Sequence, residues 1–183
     1  MQMNQTKKLT ISAMLFALGL VLPFLTGQIP QIGSMLLPMH IPVFLCGLIC
    51  GGKYGAMVGL LVPVVRSFLF VMPPMYPTAT AMAFELATYG AVAGFVYFRA
   101  GYFCLKSLYK AMLMAMVAGR VIWAAAMLVL MGVNGGVFTV EMFMAGAFLN
   151  AIPGIAVQLV LIPGIMVALG KTKLISFGMG EPA

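Results

Sequence analysis

Six apolar runs, broken by short basic or proline- and glycine-bearing stretches, set the pattern of this chain. A membrane span needs about 20 apolar residues, and fewer when it is short or re-entrant. On that measure the runs predict helical spans at 9–26, 41–51, 54–71, 78–98, 111–133 and 142–170, the second of them short. Lys7 and Lys8 ahead of the first run give it the outline of a signal peptide. No small-residue cleavage site follows and further runs come after it, so it reads as a retained first helix.

The breaks between runs alternate in charge. Lys7 and Lys8, then Lys53, then Arg99, Lys106 and Lys110, and finally Lys171 and Lys173 occupy every second break. The other breaks, "GQIPQIGSMLLPMH", "MPPMYP" and "NGGVFTVE", hold no Lys or Arg. Positive charge gathers on the cytoplasmic side of a membrane protein. Both termini are therefore expected in the cytoplasm, which requires an even number of spans and agrees with six. Proline and glycine in the opposite loops predict defined turns. The long loop after the first span has the length of a lid or binding loop. The expectation is one all-α integral membrane domain over residues 1–183, a six-helix bundle with neither an internal repeat nor an appended soluble domain.

Composition supports the same class. Hydrophobic residues make up 63% of the 183 and charged residues 7%, with a mean hydropathy of +1.13. Soluble domains are typically about 45–50% apolar and about 25% charged. The bilayer is the expected surroundings, in a bacterial plasma membrane. The net charge of +7 would suggest nucleic acid in a soluble protein. Here the basic residues follow topology, and no aromatic–basic interleaving of the kind that reads single strands is present, so no nucleic-acid partner is expected.

Three charges fall inside the runs. "RSFLFVMPPMYPTATAMAFEL" opens on Arg66 and carries Glu85, and Arg120 lies mid-run in "MVAGRVIWAAA". Counting along each helix at about 1.5 Å per residue puts Arg66 and Glu85 at similar depth. They could form a mutual ion pair that locks two helices, or either could face a ligand. Glu141 and Glu181 lie outside the runs, so the intramembrane count is two cations against one carboxylate. A charge at the centre of a span costs about 2.5–3.5 kcal/mol on insertion scales and normally faces the bundle interior. The surplus cation predicts a pocket, open to the outside, for a small anionic or zwitterionic ligand.

Other polar residues map to the same half of the bundle. Asn150 and Gln158 are eight apart, close to one helix face, and His40 opens the second span. Tyr76, Thr78 and Thr80 flank the start of the fourth span, and Tyr89 is one turn beyond Glu85. Each also has a purely structural reading: interhelical hydrogen bonds for Asn and Gln, a rim position for His40, an interfacial belt for Tyr76. Arg66, Glu85, Arg120, Asn150, Gln158, His40, Tyr89 and Thr80 are the candidate ligand residues.

Several signals carry less. Cys46 and Cys50 share a helix face, but no His or carboxylate joins them, and Cys104 stands apart; they read as packing residues. The eighteen Met residues are scattered, with no relay array. "GKT" at 170–172 is not a phosphate loop, because Ile165 stands where the pattern needs Gly and the tripeptide ends an apolar helix. No hydrolase or nucleophile constellation is visible. Neither an enzyme, a metal site nor a cofactor is expected. Small residues four apart are frequent: Gly47/Gly51, Gly55/Gly59, Ala83/Ala87, Gly90/Gly94 and Ala13/Ala17. They allow close helix approach, and Ala13/Ala17 in the first span could be a docking face for another membrane protein.

With "AMLFA" (Ala13 to Ala17), "LLPMHIPVFLCGLICGGKYGAMVGLLVPVVRSFLF" and "MPPMYPTATAMAFELATYG", the chain resembles the substrate-binding S components of energy-coupling factor (ECF) vitamin transporters, most of all the pantothenate type. The resemblance implies capture of a vitamin from outside. Docking follows on a transmembrane coupling (T) protein that carries two ABC-type ATPases, and the vitamin is released inside after the S component tilts. It assigns the T-protein contact to Ala13 and Ala17 and transfers no substrate residue. The competing reading is a self-sufficient secondary carrier or channel for a small organic anion, which would be expected to show repeated halves.

Overall fold

Every described element is helical. The computed structural model describes residues 3–26, 37–101, 103–133, 139 and 151–172. Helix α1 (Gln5–Val21) runs on into a 3-10 turn, Leu22–Thr26, and is followed by α2 (His40–Cys50) and α3 (Gly52–Phe70). A short turn, Met75–Ala79, leads into α4 (Thr80–Arg99); α5 is Leu105–Val133 and α6 is Ile152–Lys171.

Among the described residues, five helices are long and apolar enough to cross a membrane, and α2 is a shorter apolar helix. At about 1.5 Å per residue, the eleven residues of α2 reach only about half of a hydrocarbon core. Its position explains how so short a helix persists. All of its residues are buried, and it packs against α1, α3, α4 and α6. A helix that is apolar all round belongs in a core. By contrast, α1, α5 and α6 expose large apolar side chains, among them Met14, Val117, Val129 and Val160. In a membrane these faces meet acyl chains.

Helices α2, α3 and α4 lie within a few residues of the apolar runs 41–51, 54–71 and 78–98. Helix α5 begins at Leu105 rather than at Ala111. Lys106 and Lys110 interrupt the apolar pattern there, yet their long stems let the helix continue with the ammonium groups held at its end. The part of the sixth expected span before residue 151 lies outside the described residues.

A seam of glycines draws α2, α3 and α4 together. A Cβ at Gly55 would stand 2.6 Å from the Gly47 Cα, and one at Gly59 would run into the Leu86 carbonyl. Gly90 meets Gly55, and Gly94 meets Gly52. Gly47, Gly55, Gly59, Gly90 and Gly94 of the small-residue pairs are therefore at backbone crossings. Gly51, at φ 104°, makes the sharp reversal from α2 to α3, a conformation that only glycine adopts without strain.

The helix starts and ends define two ends of the bundle. Lys8, Lys53, Arg99, Lys106 and Lys171 mark the basic end. His40, the Met75–Ala79 turn, the close of α5 and the start of α6 mark the opposite end, where the candidate residues gather.

Candidate functional site

Glu85, in the second turn of α4, is the organising residue. Its Oε1 stands 3.0 Å from Arg120 Nη1 on α5 and 3.8 Å from His40 Nε2 at the start of α2. Glu85 and His40 are 2% and 1% exposed, and Arg120 is 11% exposed. Three helices thus bring an acid, a guanidinium and an imidazole to one buried point. Tyr89, one turn along α4, packs its ring against His40 at 5.2 Å and against Phe44 at 5.0 Å between centroids. Gly119, beside Arg120, leaves room for that ring: a Cβ there would be 3.1 Å from it.

Several polar atoms at this end of the bundle are buried without a hydrogen-bond partner among the described residues. Arg120 reaches Glu85 through Nη1, while its Nε and Nη2 are buried with no hydrogen-bond partner among the described residues. The two ring nitrogens of His40, a donor and an acceptor in the neutral ring, Glu85 Oε1, and the Nε2 of Gln158 on α6 also make no hydrogen bond among the described residues. A buried polar group without a partner costs about 1–3 kcal/mol. Gathered at one end of a helical bundle, such groups mark a place where an acceptor-rich molecule would be stabilised.

Arg66 sits elsewhere. It is 2% exposed, and its Nη1 donates to the Leu20 carbonyl on α1 at 2.5 Å. Its guanidinium lies 5.0 Å from the Phe24 ring centroid and 5.3 Å from that of Phe70. One turn earlier on α3, Val62 packs on Gly19 of α1. The same face of α3 therefore carries Arg66 to α1 and away from Glu85. Of the two pairings open to Glu85, the structure forms the one with Arg120. The intramembrane surplus of one cation among the described residues stands, and Arg66 is the arginine that has no carboxylate.

The other candidates divide. Thr80 donates its hydroxyl to the Met75 carbonyl at 2.9 Å, so it closes the turn ahead of α4. Tyr76 donates to the Leu130 carbonyl and ties that turn to α5. His40 is buried rather than placed on an exposed rim. Asn150 lies outside the described residues. Ala13 and Ala17 are both exposed on α1. Cys46 donates its thiol to the Ser12 hydroxyl at 3.4 Å, joining α2 to α1.

Sequence reasoning did not single out Phe24, Phe70 or Phe44. Phe70 could have been found, because it stands one helical turn after Arg66. Phe24 could not, since only the packing of α1 on α3 brings it near.

The fold and the site together define a multi-pass helical membrane protein with a buried polar cluster at one end. Residues 7–171 match the family described as ECF transporter, substrate-specific component, and the chain belongs to that family. Its members bind small-molecule substrates for transport, working with a T protein and ATPases, and are not enzymes. No curated protein and no solved structure matches the chain.

Proposed function

We propose that this substrate-specific component binds a small carboxylated vitamin from outside the cell, with pantothenate the best candidate. The observation that carries the reading is Arg120: one guanidinium nitrogen meets Glu85, and Nε and Nη2 are buried without acceptors among the described residues. A ligand carboxylate accepts from a guanidinium through charge-assisted bonds, which are stronger than neutral ones. His40, Gln158 and Tyr89 offer further polar groups around it, and Asn150, two helical turns before Gln158, is proposed to join them. Pantothenate brings a carboxylate, hydroxyls and an amide, all of which accept hydrogen bonds. A neutral or cationic vitamin would offer Arg120 Nε and Nη2 no charge-assisted acceptor.

The arrangement in the membrane is part of the proposal. The positive-inside rule puts the basic end and both termini in the cytoplasm, with α2 as a short sixth span and the Arg120 cluster toward the outside. The exposed Ala13 and Ala17 on α1 would then meet the T protein, as the family resemblance implies, and the two ABC-type ATPases would drive release inside.

A thermal-shift screen of the purified chain against the B vitamins tests the reading. A ligand that binds the folded chain and not the unfolded one raises the unfolding temperature, by an amount that grows with the logarithm of its concentration over Kd. The expected result is a rise with a carboxylated vitamin and none with a neutral or cationic one. A response confined to uncharged vitamins would refute it.

A further inference from the structure

The basic end holds a second feature that the transport reading does not use. Between the α2–α3 turn and the last turns of α4 lies a groove of about 840 Å³. Lys8 from α1, Lys53 from α3 and Arg99 from α4 line it together with Phe95 and Phe98. Gly51 forms part of its wall and has open space beside it. Glu85, the acidic residue among those described, is buried in the distant polar cluster. The three cations therefore face the groove with no carboxylate among the described residues to balance them.

Two properties narrow the occupant. The cations converge from three helices at the level where the helices begin or end, which is headgroup depth for a bilayer-spanning bundle. The aromatic wall is apolar, and Phe95 is 61% exposed although it lies within the span Met75–Arg99. The groove thus opens sideways toward lipid as well as toward water. A free inorganic anion would use the cations and leave the aromatic wall wet. A neutral lipid would use the wall and leave the like charges uncompensated. A molecule with an anionic head and an apolar tail uses both.

We propose that this groove is a binding site for an anionic phospholipid, with the headgroup phosphate among Lys8, Lys53 and Arg99 and an acyl chain along Phe95 and Phe98. The assignment goes beyond the vitamin site and does not depend on it. A bound lipid would brace the α2–α3 turn against α4 and set the depth at which the basic end rides in the membrane.

Native mass spectrometry of the full chain in detergent, with phosphatidylglycerol and phosphatidylcholine in competition, tests this. The expected result is a preference of about tenfold or more for phosphatidylglycerol, as three basic contacts would give. The triple variant Lys8→Gln/Lys53→Gln/Arg99→Gln, which keeps Lys7, Lys106, Lys110 and Lys171 to hold topology, should reduce it to less than about twofold. Equal retention of the two lipids, or an unchanged preference in the triple variant, overturns the proposal. So does stabilisation by inorganic phosphate equal to that by phosphatidylglycerol, which would assign the groove to a free anion. A triple variant that keeps the lipid preference but no longer co-purifies with the coupling protein would make the groove a protein contact and also overturn it. Should the triple variant fail to fold, Arg99→Gln alone at its exposed position decides: a preference lowered several-fold supports the site, and an unchanged one removes it.

Discussion

Two arginines lie inside this bundle, and their surroundings differ. Arg120 sits at the centre, where α2, α4 and α5 meet, against a carboxylate it satisfies with one nitrogen. Arg66 sits at the margin, where α3 meets α1, against a backbone carbonyl and two aromatic faces. The aromatic rings and the carbonyl accommodate Arg66 with groups that carry no net charge, so removing it strands no partner. Removing Arg120 strands Glu85. Among the described residues both keep buried nitrogens without an acceptor, Nε of Arg66 and Nε and Nη2 of Arg120, but only Arg120 is held by a carboxylate.

The sharpest way to break the comparison is to remove the central arginine. Arg120→Ala should lower unfolding stability in detergent by about 3–5 kcal/mol, because Glu85 is left buried and uncompensated. It should also weaken binding of an anionic vitamin by about tenfold or more. Arg120→Ala/Glu85→Ala should regain most of the stability and none of the affinity. A double variant as unstable as the single would mean that the ion pair is not what the fold relies on there. Next in size is Gly59→Ala, in the seam between α3 and α4, where a methyl group meets the Leu86 carbonyl. It should cost about 1–3 kcal/mol by overpacking, seen as a lower thermal midpoint. A neutral outcome would mean that the helices can part without loss.

At the margin the effects shrink. Arg66→Met removes the contacts to Phe24, Phe70 and Leu20 without stranding a charge, and should cost about 1–2 kcal/mol. A loss as large as that of Arg120→Ala would erase the contrast between the two arginines. Smallest for stability is Ala13→Trp on the exposed face of α1, expected within about 0.5 kcal/mol of the parent. Vitamin binding should persist and cellular uptake should stop; normal uptake would remove that face from the docking surface.

Helix positions were largely legible in the sequence, because a run of apolar residues bounded by Lys, Pro or Gly has few other physical readings. Glu85 and His40, both read into the same half of the bundle, stand 3.8 Å apart, with His40 buried rather than at the rim. Pairing was a different matter. Arg66 and Glu85 have similar depth on neighbouring helices, yet rotation about the α3 axis turns Arg66 toward Leu20. Depth follows from residue number, whereas rotation follows from which helix packs on which face. No local pattern encodes that α1 covers Val62 and Arg66. The glycine pairs show the same limit from the other side: Gly55, Gly59 and Gly90 were visible as spacing, and only the assembled bundle shows that each meets backbone.

The claim that Arg120 awaits a ligand carboxylate is tested most directly by pairing a protein change with a ligand change. Titrate the parent and Arg120→Ala/Glu85→Ala with the vitamin that raises the unfolding temperature and with its neutral carboxamide. The parent should prefer the carboxylate by about tenfold or more, and the double variant should bind both forms about equally. If the double variant keeps the full preference for the carboxylate, the acid is recognised elsewhere and Arg120 is not its partner.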